Sequence, residues 1–112
     1  MKYEGKNIGI LGLGKSGYWS AKLAKSLNNN VFVSDSNENI NQIFIDDLKM
    51  LGVELEIGVH SNQILKSDII IKSPGIPNNS KVLRKINEER IPVISEIEFA
   101  GNLSKSKNIC IT

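Results

Sequence analysis

The sequence predicts an α/β fold, a doubly wound parallel sheet of five strands with flanking helices in a single domain, and three observations carry that prediction. Short apolar runs alternate with longer segments of helical spacing, the order expected when a helix carries the chain back to the start of a parallel sheet. The first run, Lys6 to Leu11, passes directly into Gly12-Leu13-Gly14-Lys15-Ser16-Gly17, a G-x-G-x-x-G string between a strand and a helix. The run Asp68-Ile69-Ile70-Ile71-Lys72 is nearly all apolar, as a central strand buried on both faces should be.

Each glycine of the first turn has its own task. Gly12 lets the chain turn sharply off the strand, and Gly14 leaves room for a phosphate to approach the backbone. Gly17 lets the following helix lie close on the sheet, a small-residue face continued by Ser20, Ala21 and Ala24. The first helical turn then aims unsatisfied N–H groups and a positive dipole end at whatever sits over the loop. That is a seat for an anion, most simply the diphosphate of a nucleotide.

Asn28-Asn29-Asn30 is a polar stop, and Val31-Phe32-Val33-Ser34-Asp35 reads as the second strand. Asp35 ends it, eighteen residues past Gly17. A carboxylate there can accept from a ribose, accept from a base N–H, or cap the turn that follows. Ile40, Ile43, Phe44, Leu48 and Leu51 follow helical spacing until Gly52. Val53, Leu55 and Ile57 alternate with Glu54 and Glu56, which predicts an edge strand with one solvated face. His60 is the only histidine and has no nucleophile or carboxylate partner evident in the sequence, which favours a structural role.

The fourth strand runs into Ser73-Pro74-Gly75-Ile76-Pro77, a rigid turn at the edge where open α/β sheets bind ligands. Val82, Leu83 and Ile86 mark the buried side of the next helix, with Asn78, Asn79 and Ser80 as capping candidates. Pro92-Val93-Ile94 is the fifth strand, and the Ser95/Glu98 pair resembles a capping box opening a short helix that should end near Gly101. Ser104 to Lys107 reads as a linker and Asn108 to Thr112 as the start of a further strand. The expected division is a domain over 1–103, then linker and strand over 104–112. The crevice should lie between the first and fourth strands, where Gly14 to Gly17 and Ser73 to Pro77 face each other.

Composition sets the outer limits. The 14 Lys+Arg and 12 Asp+Glu leave a formal charge of +2 and no basic block, which gives no support to nucleic-acid binding or attachment to a membrane surface. No apolar run approaches a membrane span, and Met1-Lys2-Tyr3-Glu4 does not open a signal peptide. The single cysteine, Cys110, has no internal partner for a disulfide and fits a reducing compartment, so a cytoplasmic domain is expected. No Cys/His cluster suggests a metal site.

Four features together make this Rossmann-like chain resemble the N-terminal domain of the bacterial Mur ligases, closest to the D-glutamate-adding branch. They are Gly5-Lys6-Asn7 with the glycine loop, Asp35 after the second strand, Ser73-Pro74-Gly75-Ile76-Pro77, and Ser95-Glu96-Ile97-Glu98. The L-alanine-adding branch typically shows a Gly-Gly-Ile-Gly loop and lacks the Ser-Pro-Gly-Ile-Pro turn. The resemblance implies that the domain binds the UDP end of UDP-MurNAc-L-Ala. Gly14, Gly17, the Lys15 and Ser16 amides and the Ser16 hydroxyl would meet the diphosphate. Asp35 and Ser36 would read the uracil edge, Asn37 would lie beside it, and Gly75 would let the base pack on the Pro-Gly turn. An arginine can occur in the family at the position of Asn37. The resemblance also implies central and C-terminal domains beyond this chain, with ATP and Mg²⁺ serving the full ligase. The fragment itself should bind without catalysing. Composition and spacing alone leave open a second class, a regulatory or redox module whose glycines take the pyrophosphate of NAD(H) and whose Asp35 takes the adenosine ribose, against which Ser73 to Pro77 and Ser95 to Glu98 argue.

Overall fold

The computed structural model describes residues 3–107. Five strands form one parallel sheet in the order β3-β2-β1-β4-β5: β1 (Asn7–Leu11), β2 (Asn30–Asp35), β3 (Glu54–Ile57), β4 (Ile69–Lys72) and β5 (Val93–Ser95). The helices are α1 (Lys15–Ser26), α2 (Gln42–Met50), α3 (Lys81–Glu88) and α4 (Glu96–Lys107), with a short 3-10 helix at Asn62–Lys66. The expected doubly wound fold is the one observed, with β3 on an edge and β4 inside the sheet.

The period of two along the strands divides the core between the sheet's faces. Ile8 and Ile10 of β1 and Ile71 of β4 pack with Ala21 and Ala24 of α1, Leu48 of α2 and Phe99 and Leu103 of α4. Their neighbours Leu11 and Ile70 turn to the other face, against Ile64, Val82, Leu83 and Ile86. On α1 the buried positions are Gly17, Ser20, Ala21 and Ala24, a stripe at helical spacing without bulk. The helix can therefore approach the sheet closely. It ends where Asn28 adopts φ +65°, and buried Asn29 ties the ends of the motif together by donating to Tyr3 O and Ala24 O and accepting from Lys6 N.

Two local expectations are overturned. The last helix does not stop near Gly101, and the segment from Ser104 to Lys107 that reads as a linker is helical. Gly101 ends a helix only by turning left-handed, and it does not do so. Phe99 and Leu103 are buried on either side of it, and their packing, including an edge-on contact of Phe99 with Tyr3, carries the helix through. On α2, Ile43 is 72% exposed although it belongs to the apolar stripe, because the helix turns Leu48 fully and Phe44 and Ile45 partly to the core. The further strand expected over Asn108 to Thr112, and Cys110 within it, lie outside the described residues. Among the described residues no helix is long and apolar enough to cross a membrane.

Candidate functional site

Three strand ends converge on the glycine loop. Gly12, at φ +98°, donates its N–H to Ser34 O at 2.9 Å, and Leu13 N–H is held by Asp35 Oδ2 at 2.7 Å. From the other side, Ser73 N–H donates to Leu11 O at 2.9 Å. A Cβ on Gly17 would stand 2.1 Å from Gly12 O, so the close approach of α1 to the turn requires glycine there. Gly14 differs: its backbone is extended at φ −93°, and a Cβ would meet nothing within 4 Å. What Gly14 leaves is open space over the loop.

Helix α1 starts on that space without a cap of its own. Gly14 gives no side-chain hydrogen bond, the first turn has no acidic residue, and the first intrahelical bond is Tyr18 N–H to Gly14 O. The N–H groups of Lys15, Ser16 and Gly17 precede that bond and are left for an external acceptor. The Ser16 hydroxyl is already engaged, donating to Glu96 Oε1 at 2.5 Å.

Opposite lies the turn after β4. Ile76 N–H donates to Ser73 O at 3.1 Å, and the Lys72 ammonium clamps the turn by donating to Ile76 O at 2.9 Å and Ser73 O at 3.3 Å. Between this turn and the starts of α1 and α4 runs a groove of about 730 Å³ whose walls include Lys15, Ser16, Trp19, Pro74 and Glu96. The structure thus brings Gly14 to Gly17 and Pro74-Gly75 to one edge of the sheet.

Asp35 has a bracing role that its sequence position only hinted at. Its Oδ2 holds the Leu13 amide and its Oδ1 accepts from Asn37 N–H at 2.8 Å, so the capping expectation holds and the carboxylate also fixes the glycine loop. Each oxygen keeps a second lone pair. Ser36 and Asn37 are exposed just beyond. Ser36 borders a cavity of about 310 Å³ shared with His60, Ile76, Pro77 and Ser80, which links the end of β2 to the turn after β4.

Two clusters were not legible in the sequence. Ser34 Oγ donates to Glu56 Oε2 at 2.7 Å and lies 2.7 Å from His60 Nδ1, while Ser61 N–H also donates to Glu56. Glu56 is therefore not simply solvated, and His60 does have partners. This Ser–His–Glu group is structural: Ser34 is fully buried, so no substrate reaches its hydroxyl. Burial pushes the Glu56 carboxyl up, but hydrogen bonds from Ser61 and Ser34 and the charge of His60 outweigh it, leaving the value below the usual glutamate range. The second cluster is Ser16 with Glu96, eighty residues apart in sequence. A carboxylate opening the helix after β5, beside the strand where the sheet order reverses, was the available signal for Glu96.

A family model described as the N-terminal domain of MurD-like Mur ligases matches residues 6–95. The chain belongs to this family. Its curated relatives include UDP-N-acetylmuramoylalanine–D-glutamate ligases. That of Bacillus cytotoxicus is 39% identical over 112 residues, covering 98% of this chain and 25% of the relative. That of Bacteroides fragilis is 44% identical over 108 residues, covering 96% and 24%. This MurD-like domain thus spans about a quarter of the length of those relatives. Among solved structures, the UDP-N-acetylmuramate-alanine ligase MurC of Thermotoga maritima superimposes with a TM-score of 0.74 at 22% identity, over 90% of this chain and 23% of that one. A 3-hydroxyacyl-CoA dehydrogenase of Archaeoglobus fulgidus gives 0.61 at 19% identity, over 80% and 33%. At such identities both likenesses speak for the fold alone, and a fold shared by a ligase and a dehydrogenase does not choose the nucleotide.

Proposed function

We propose that this MurD-like domain binds the uridine diphosphate end of UDP-MurNAc-L-Ala for a larger, cytoplasmic, ATP-dependent ligase that joins D-glutamate to it. The observation that carries this reading is the uncapped start of α1 under open space at Gly14, opposite the Ser73–Pro77 turn. A diphosphate there would take the amides of Lys15 and Ser16, with Gly17 holding the helix in place and the Lys15 ammonium adding attraction. The base would extend toward Ser36 and Asn37, where a free lone pair of Asp35 can accept uracil N3–H and the Pro74-Gly75 turn offers a packing surface. The sugar-peptide end would leave along the groove between α1 and α4 toward domains outside this chain.

Among the described residues no three His, Cys, Asp or Glu side chains gather to hold a metal. ATP and Mg²⁺ would serve the full ligase in domains beyond this chain, and this domain's contribution would be to bind and orient. The test is a thermal-shift comparison of UDP-MurNAc-L-Ala, UDP, NADH and ATP on the 112-residue chain. A ligand at about 10 mM with a Kd near 1 mM adds about 1.4 kcal/mol by mass action. UDP-type ligands should stabilise the domain while NADH and ATP do not; stabilisation by NADH alone would sink the reading.

A further inference from the structure

The proposed diphosphate seat already has an anion beside it. Glu96, the first residue of α4, is 8% exposed and gives its Oε1 to the Ser16 hydroxyl at 2.5 Å. Its Oε2 is buried without a hydrogen-bond partner and lies 3.5 Å from where a Gly17 Cβ would stand. The carboxylate is therefore pressed against the first turn of α1, the helix that has no acidic residue and no side-chain cap at its own start. A buried carboxylate oxygen without a partner is costly unless nearby positive potential offsets it. The N-terminal starts of α1 and α4 are the sources of such potential here.

We propose that Glu96 is a specificity-determining residue, a resident anion that balances the α1 N-terminus and so admits a phosphate only when the ligand brings further contacts. This rests on the reading of the glycine loop as a diphosphate seat. Ser16 has one hydroxyl proton, and while Glu96 holds it the hydroxyl cannot donate to a phosphate oxygen. The ligand is then held by the backbone amides, opposed by the nearby carboxylate. An inorganic anion that relies on the helix terminus alone is rejected, whereas a nucleotide seated also by its base and ribose is accepted.

Calorimetry on the 112-residue chain, its Glu96→Gln variant and a Glu96→Ala variant, titrated with uridine, UMP, UDP and inorganic diphosphate, tests this. Removing the charge should tighten UDP roughly fivefold, tighten UMP less and leave uridine unchanged. Inorganic diphosphate should gain measurable binding, and the gains should shrink as salt is raised. The alanine variant removes the charge and the Ser16 bond together and keeps the test open should the glutamine variant fold poorly. UDP binding that is unchanged or weakened in both variants, or a gain equally large for uridine, overturns the role of Glu96. No UDP binding by the wild type or either variant overturns the diphosphate seat, and this inference with it.

Discussion

A methyl group built on Gly12 would stand 2.7 Å from Cβ of Ser73, so the turn leaving β1 and the turn leaving β4 touch at this pair. The contact lies where the sheet order reverses direction, since β1 pairs with β2 on one side and β4 on the other. It makes the two turns one rigid edge, with the start of α1 rising from it. Ligands of open α/β sheets bind at such an edge because neighbouring loops diverge there and leave a crevice.

The three glycines of the loop should separate in mutagenesis. Gly12→Ala combines strain at φ +98° with the Ser73 contact, and Gly17→Ala drives a methyl into the Gly12 carbonyl. Each should cost about 1–3 kcal/mol or more in urea unfolding. Gly14→Val meets open space at an extended backbone, so its stability loss should stay under about 1 kcal/mol while UDP affinity is lost. Unchanged UDP affinity in a folded Gly14→Val variant would place the diphosphate elsewhere.

Acid should weaken the end of β2 through Glu56. Its carboxyl titrates below the usual range in the folded chain, so it stabilises the fold above its ordinary value, about 4.3, and that contribution disappears as pH falls through the lowered folded value. The side chain is only half-buried, so the amplitude should stay under about 1 kcal/mol. The melting temperatures of wild type and Glu56→Gln should differ at pH 7 and converge as the pH falls below the ordinary glutamate value and through the lowered folded one. A difference that does not shrink on acidification contradicts this assignment.

Local signals survive folding best. The strand–glycine–helix order, the Ser80 and Ser95 caps and the left-handed stop at Gly52 were legible because each depends on neighbours within a few residues. Helix α4 running through Gly101 was not, because burial of Phe99 and Leu103 by distant parts of the chain decides it. The bonds from Glu96 to Ser16 and from Ser34 to Glu56 join residues that sequence spacing cannot pair. At the site, the glycine loop and the capping bond of Asp35 to Asn37 could be named in advance, whereas the engagement of the Ser16 hydroxyl by Glu96 and the bond of Asp35 back to the Leu13 amide could not.

The Lys72 clamp gives a prediction about the opposite wall. Its ammonium donates to two carbonyls of the Ser73–Ile76 turn at 3.3 and 2.9 Å from a part-buried position, where solvent screening holds their joint contribution to about 1–2 kcal/mol. Lys72→Met keeps the aliphatic stem and loses the clamp. Amide hydrogen exchange should speed up at Gly75 and Ile76, with a global loss of about 1–2 kcal/mol and weaker UDP binding. Exchange that stays as slow as in the wild type would show that the prolines and the Ile76–Ser73 hydrogen bond hold the turn without the clamp.

Asp35 requires an experiment that separates bracing from reading. Its two oxygens hold the Leu13 and Asn37 amides, so Asp35→Asn disturbs the glycine loop whether or not the residue touches a ligand. A lost charged hydrogen bond should cost about 1.5–3 kcal/mol in stability, and UDP affinity should fall through the loop alone. The variant by itself is therefore uninformative about the base, and the ligand must be changed as well. N3-methyl-UDP removes the uracil N3–H and leaves the ribose and diphosphate intact. If a free lone pair of Asp35 reads uracil, methylation should weaken wild-type binding roughly tenfold or more and weaken the already impaired Asp35→Asn variant much less. Bracing alone lowers the affinity of both ligands in the variant by the same factor and leaves wild type indifferent to the methyl group. That second pattern would assign Asp35 to the loop and leave the base to Ser36, Asn37 and the Pro74-Gly75 turn.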